Sequence, residues 1–597
     1  MCGIFVSARV VPSVDVKEEE IFSTLSRELR HVNAARGPDA QRNHVLSFVC
    51  PGSNPPGSKP DQSDAATLKA DFYASELRLR GDSPIVQPHV KGENALCWNG
   101  EIFDGLDISP HENDGVKLFD LLCPLETAEQ IRDLMSGIEG PYAFAFFHER
   151  TQRLYFARDP LGRRSLLIHQ PTHELPYLLL SSASAGANPA YEFVELSTEF
   201  FYSLDLRSMI TPSGIAEGFG QSLTQIPRAS TSPDKLLAYG APRKVNTTIP
   251  STPELSVQTL DSIPVHLMET VDQFIYHLDS SVMLRVRDIP YSSVTKGKAR
   301  VAVLFSGGID SSIIAFLAHR HIPLDEPIDL LNVAFENPRK IRIQKEGNVR
   351  GTPKRRTKTS HHSDTGQTEH NPYSVPDRVT GMKEVEELCR ICPGRTWNFV
   401  EVNVSYTECQ SARAKVESLM SPGRTVMDLS LALALYFASR GQGQIQRDAE
   451  SEPEPYVSES RVLLNGLGAD ELLGGYYRHR SVYNTGGWKA VVSELQEEID
   501  RIPNRNLGRD DRVISSHGKE TRHPFLSLTL VSFLADLPVN LKLDPRLDAG
   551  LGDKMLLRLA AQKLGLVEAS SRKKRAMQFG SRSARMDGER RGDAELE

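Results

Sequence analysis

The sequence predicts two folded units in one chain: a strand-rich unit over 1–205 and an α/β unit with a doubly wound parallel sheet over 266–580. Three observations carry this. Short apolar runs punctuated by Gly, Pro and Asp fill the first third. From about residue 266 candidate strands alternate with candidate helices. Two of the later strands run directly into turns rich in Gly and acidic residues.

In chain order, the first unit opens on "MCGIFVSARV", an apolar run that stops at Arg9 and is too short for an anchor. Residues 50–65 form a Pro/Gly/Ser-rich stretch expected to be a mobile loop. "YAFAFF" (142–147) and "RLYFAR" (153–158) read as strands. Residues 206–265 have little periodicity and many Ser, Thr and Pro, so they read as a linker or insertion. Beyond them, "RVAVLF" (300–305), "LLNVAF" (330–335) and "RVLLNG" (461–466) are buried-strand candidates. "SSIIAFLAHRH" (311–321) and "DLSLALALYFASR" (428–440) are helix candidates. Two polar inserts, 337–372 and 441–460, read as surface excursions, disordered in part. The charged tail over 581–597 is expected to fray.

The chain's 597 residues exceed what one core holds. A hydrophobic fraction of 39% and a charged fraction of 25% are those of a soluble globular protein. The net charge of -7 gives no reason to expect a nucleic-acid or membrane partner. The basic stretch "GTPKRRTKTSHH" (351–362) reads as a solvated loop. No signal peptide or membrane-spanning stretch is expected, and seven scattered cysteines fit a reducing, intracellular setting. "LCRICPG" lacks the second pair that a zinc site needs.

The residues that carry chemistry lie at three places. Removal of Met1 would leave Cys2 with a free α-amino group beside its thiol, a nucleophile with its own base. In "LFSGGIDSS" (304–312) a strand meets a Gly-rich turn and then a helix. Gly307 and Gly308 can turn tightly and expose N–H groups, and the helix N-terminus adds a positive dipole, so the turn suits pyrophosphate. Asp310 in that anion nest calls for a bridging Mg²⁺. "NGLGADELLGGYYRH" (465–479) follows another strand and would open at the same sheet edge, with Asp470 as a second Mg²⁺ ligand.

With "MCGIF", "RGPDA" (36–40) and "WNGEIF" (98–103), these motifs resemble, in the same order, the asparagine synthetase family. That family joins a class II glutamine amidotransferase domain to an ATP-pyrophosphatase domain. "RHIPLDEPIDLLNVAFE" (320–336), "NRNLGRDDRVI" (504–514) and "KKRAMQFGSR" (573–582) resemble one branch of it more closely. The resemblance implies an α+β then α/β fold: an αββα N-terminal-nucleophile hydrolase domain, then the doubly wound sheet. It implies hydrolysis of glutamine coupled to amidation of aspartate, with ATP split to AMP and pyrophosphate, Mg²⁺ as cofactor and ammonia passed internally. A cytoplasmic location follows, and a homodimer stays open.

The same resemblance implies residue roles. Cys2 would attack the glutamine amide, with Asn99 and the Gly100 N–H as oxyanion donors. Asn99, Glu101 and Asp114 would contact glutamine, Asp114 through the α-amino group. An arginine would grip the α-carboxylate, with Arg78 and Arg80 as candidates and Arg80 the first choice. ATP would meet Val333, Ser306, Gly307, Gly308, Asp310, Ser311, Ser312 and Gly468, and Lys554 would neutralise the α-phosphate. One departure stands out: Leu467 occupies the place of a glutamate expected to assist aspartate activation or ammonia attack. This favours two alternatives, an acceptor carboxylate other than aspartate, or a regulatory or binding protein that retains the nucleotide site.

Overall fold

In the computed structural model the described residues are 2–11, 16–49, 67–211, 213–228, 238–250, 257, 259–290, 297–336, 371–447, 450–586 and 594–596. The loop expected at 50–65, the basic stretch 351–362 and nearly all of the insert 337–372 lie outside them.

The first unit stacks two six-stranded sheets in which each strand pairs antiparallel with its neighbours. Strand Gly3–Val11 is internal to the first sheet, between Thr67–Glu76 and Tyr177–Ser181. Strand Asn94–Gly100 lies in the second, beside Tyr142–His148. Side chains alternate across each strand, and one apolar set of each sheet faces the other. Ile4, Val6 and Phe72 meet Cys97, Ala145, Phe147 and Phe156 in that shared core. Helix Val16–Ala34 covers the outer face of the first sheet through Phe22, Leu25 and Leu29. Helices Asp114–Leu122 and Ala128–Ser136 cover the second through Leu118, Phe119, Ile131 and Met135. The layers therefore run helix, sheet, sheet, helix.

The first unit reaches past residue 205. Strand Leu223–Pro227 pairs with Phe200–Asp205, and helix Ile215–Ser222 buries Ile215 and Phe219 in the shared core. These residues were read as linker or insertion because "LTQIP" shows no alternation of its own; its partner strand supplies the register.

The second unit centres on a seven-stranded sheet. Five strands are parallel, in the order Trp397–Val404, Ile328–Phe335, Val301–Leu304, Val462–Leu464, Glu520–Arg522. Helices Val265–Val286 and Ile309–His321 pack on one face, and Tyr406–Met420 and Val426–Arg440 on the other. The connections reverse direction between Val301–Leu304 and Val462–Leu464. At such a switch point a crevice opens at the strands' carboxyl ends. The insert 441–460, read as a surface excursion, instead supplies a hairpin: Gln442–Ile445 and Glu454–Val457 pair and extend the sheet edge. The tail read as frayed also docks: the Val426 N–H donates to Ala594 O at 3.0 Å, and the Leu596 N–H donates to Arg424 O at 2.7 Å. Among the described residues no helix is long and apolar enough to cross a membrane.

Candidate active sites

The first site forms where the two antiparallel sheets meet. Cys2 immediately precedes strand Gly3–Val11 and is 6% exposed. Its N–H donates to Asn99 Oδ1 at 3.1 Å, its carbonyl accepts from Arg36 Nε at 3.2 Å, and its Sγ accepts from Gln87 Nε2 at 3.4 Å. Gln87 is held in turn by the Trp98 N–H at 2.8 Å. Asn99 Nδ2 is buried without a hydrogen-bond partner among the described residues. Gly100 follows it at the strand end, opposite Tyr142. Burial pushes the thiol up to about 11; the positive chain terminus opposes this, and the carboxylates of Glu76 and Asp114 add to it.

Three residues expected to hold glutamine are committed elsewhere. Arg80 pairs with Glu101 at 3.0 Å and Asp288 at 3.2 Å, and donates to Ile102 O at 2.5 Å. Glu101 is shared between Arg80 and Arg522 of the second unit, the latter at 3.4 Å. Asp114 accepts from the Ile102 N–H at 3.0 Å, the Gly115 N–H at 2.9 Å and Trp98 Nε1 at 3.4 Å. Arg80, the first choice for the α-carboxylate, thus has its guanidinium on two carboxylates and a carbonyl. Arg78 is the less committed of the two: it donates to Ile85 O at 3.1 Å, and its Nε has no hydrogen-bond partner among the described residues.

The second site is a cavity of about 480 Å³ at the switch point of the parallel sheet. Ser306, Gly307, Gly308, Asp310 and Ser311 form one wall, with Val333 at the end of the neighbouring strand. Gly307 has φ +73, and a Cβ there would sit 2.5 Å from Gly381 N, so the turn admits only glycine. Across the cavity stand Leu467, Asp470 and Glu471. Lys554 Nζ lies between the two aspartates, 2.6 Å from Asp310 Oδ2 and 2.7 Å from Asp470 Oδ1. One ammonium thus spans carboxylates 160 residues apart in sequence, because their loops leave adjacent strands. A Cβ on Gly475 would meet both Asp470 Oδ1 and Lys554 Cε, which explains a glycine beside the pair.

Ser312 and Gly468 do not line this cavity. The Ser312 hydroxyl turns inward to Gly308 O at 2.9 Å. Gly468 packs under Leu526 at φ +101.

Sequence reasoning missed the cationic side of the cavity. Arg572, Lys573, Lys574 and Arg575 line it together with Arg505 and Arg558. Lys574 bonds Asp470 and stands 4.5 Å from the Tyr476 ring centroid. Burial lowers its ammonium to about 8, against the pull of Asp310. The run "RKKR" was the available signal, although a basic run near a chain end reads first as a solvated surface. Asp377, another lining residue, is pushed up to about 7 by burial, with Arg575 opposing.

Buried charge joins the two sites. Arg36, whose Nε holds the Cys2 carbonyl, pairs with Asp511 at 2.7 Å. Asp511 also accepts from the Ser165 N–H at 3.2 Å and faces Arg164 at 3.5 Å. Arg164 reaches Glu520 at 2.9 Å, and Glu520 holds Arg522 at 2.6 Å. Arg163 pairs with Glu139 and Asp159 and donates to Leu526 O at 2.8 Å. On the same short helix as Asp511, Arg509 and Asp510 line the second cavity.

A buried cysteine whose N–H bonds the Asn99 side chain in a four-layer unit, followed by an acid-and-glycine crevice in a parallel sheet, defines a two-domain amidotransferase architecture. Residues 74–185 match the family model for a glutamine amidotransferase domain, and 291–363 with 483–595 match that for asparagine synthase. The chain belongs to the asparagine synthase-like family of glutamine amidotransferases. It is 36% identical to asparagine synthetase domain-containing protein 1 of Mus musculus, over 98% of this chain and 97% of that one. The proteins of the same name are 35% identical in Homo sapiens, over 98% and 96%, and 36% identical in Gallus gallus, over 98% and 98%.

Proposed function

We propose that this chain hydrolyses glutamine at Cys2 and uses the released ammonia to amidate a carboxylate that is activated by ATP in the second cavity. The observation that carries the reading is the placement of Asp310 and Asp470 on either side of Lys554, facing the Ser306–Gly308 turn. Turn N–H groups and the lysines suit a polyphosphate. Val333 and the apolar Leu304, Leu331 and Leu435 suit an adenine. The two carboxylates fit Mg²⁺, which takes one or two protein carboxylates and completes its shell with water and phosphate oxygens. Bound there, Mg²⁺ would neutralise the pyrophosphate as it leaves.

At the first site, Cys2 Sγ attacks the amide carbon and its proton passes to the Cys2 nitrogen, an α-amine once Met1 is removed. Asn99 Nδ2, without a partner among the described residues, donates to the oxyanion. Arg78 takes the glutamine α-carboxylate. At the second site, Lys554 and Lys574 move from the aspartates to the phosphates when nucleotide enters, and stabilise the charge that develops during transfer. The enzyme is cytoplasmic in this reading. The test is pyrophosphate release by the purified chain with Mg·ATP and aspartate, with and without glutamine. Asp310→Asn should weaken Mg·ATP binding by about 1–3 kcal/mol, the scale of a lost charge-assisted contact. Unchanged affinity by calorimetry would remove Asp310 from the site.

A second reading, nucleotide binding with weakened chemistry, is favoured by Leu467. It lines the cavity and packs on the core, and its N–H donates to Asn465 Oδ1 at 3.1 Å. Leucine can neither take a proton nor hold an ammonium. Wild-type turnover of aspartate is expected to be slow. Leu467→Glu should raise pyrophosphate release with aspartate by roughly 10-fold or more, the scale of a positioned general base. Brisk wild-type asparagine formation that this substitution leaves unchanged would return the plain asparagine synthetase assignment.

A further inference from the structure

The thiol site contains one buried acid that none of these roles uses. Glu76 ends strand Thr67–Glu76, whose register with Gly3–Val11 pairs Ser75 with Gly3 and so sets Glu76 opposite Cys2. The side chain is 3% exposed, and Glu76 Oε2 has no hydrogen-bond partner among the described residues. Its backbone is fixed: the Asp39 N–H donates to Glu76 O at 3.0 Å, and Gly37 lies so close that a Cβ there would be 2.3 Å from Glu76 N. A buried orphaned carboxylate costs free energy unless a charge or proton is supplied to it.

The charged groups around it leave one opening. Arg78, on the same stretch of chain, and the chain's positive terminus favour its ionised form; Asp39 and Asp114 disfavour it, and burial outweighs them all, raising the carboxyl to about 7. Glu76 and Asp114 in turn oppose ionisation of the Cys2 thiol. The Cys2 nitrogen already donates one hydrogen bond, to Asn99 Oδ1. As an α-ammonium it would have two further protons to place.

We propose that Glu76 is a positioning residue of the thiol site: its carboxylate holds the α-ammonium that Cys2 acquires when the thiol proton moves to the amine. The step balances within the residue. The S–H bond breaks and an N–H bond forms; Sγ keeps the electron pair and attacks, and Glu76 changes neither protonation nor bonding but accepts one ammonium hydrogen bond. The third ammonium proton then goes to the substrate amide nitrogen as its bond to carbon breaks, so that it leaves as ammonia, and the Cys2 nitrogen returns to the neutral amine. The idea rests on the glutaminase reading for its catalytic part and stands alone for its effect on the thiol.

Glu76→Gln keeps the shape and removes the charge, which gives two effects of opposite sign. Losing a nearby negative charge should make the thiol more acidic, so Cys2 alkylation by iodoacetamide at pH 8, followed by peptide mass, should rise roughly 3-fold or more. Losing the ammonium's acceptor should lower glutaminase kcat by roughly 10-fold with KM within about 2-fold. Glu76→Asp should restore part of both. A purely structural residue would lower both rates together, and that result, or unchanged alkylation, overturns the proposal. If the wild type hydrolyses no glutamine, the glutaminase reading fails and with it the catalytic half of this one, while alkylation still decides the electrostatic half. If Glu76→Gln does not fold, the wild-type alkylation profile decides: it should bend near pH 7 as Glu76 ionises, and a profile that follows the thiol alone counts against the proposal.

Discussion

Cys2→Ala should abolish glutamate release from glutamine and leave the folded chain intact. The side chain contributes one thiol, whose polar neighbours are Gln87 Nε2 at 3.4 Å and the Leu77 backbone. The substitution therefore removes little packing, while the backbone N–H to Asn99 and the carbonyl to Arg36 stay. Removal of a covalent nucleophile leaves only what binding and the oxyanion donors supply, so a loss of roughly 10³-fold or more is expected. The measurement pairs glutamate release with a thermal melt. Activity within a few-fold of wild type would place the nucleophile elsewhere.

Asp511→Ala should be the most damaging single change to stability. The carboxylate is fully buried, 2.7 Å from Arg36 and 3.5 Å from Arg164, both also buried. Its removal leaves two guanidinium groups without a shared counter-charge in a place water does not reach. The scale for breaking a buried pair in this way is about 3–5 kcal/mol. Urea titration of wild type and variant measures it. A loss under about 1 kcal/mol, the scale of an exposed pair, would mean that the cluster is hydrated. Asn in place of Ala should recover part of the loss by keeping an acceptor for the Ser165 N–H.

Much of this architecture was legible from local pattern. The turn around Gly307 and Gly308 was readable because strand, glycines and helix follow one another within a few residues, as they do in the structure. Asp470 was readable once paired with the first turn, since adjacent parallel strands open at one edge. What stayed hidden depends on partners far away in sequence. Strand Leu223–Pro227 and the hairpin from Gln442 to Val457 take their form from neighbouring strands, not from their own residues. Arg80 and Arg78 lie two positions apart on the same stretch, and only the presence of Glu101 and Asp288 around one of them separates their surroundings. Arg36, Arg164 and Asp511 look, in sequence, like ordinary surface charges. Their burial is a property of the contact between the units.

That contact also bears on how such a chain can diverge. The cluster of Arg36, Arg164, Glu101 and Arg522 draws opposite charges from both halves. A drifting surface residue is tested alone, but a change in one half here is tested against a partner encoded hundreds of codons away. The halves are therefore inherited as a matched set. A chimera that joins the first half of one relative to the second half of another would inherit the residues of both candidate sites and still lack the charges that let the two halves close.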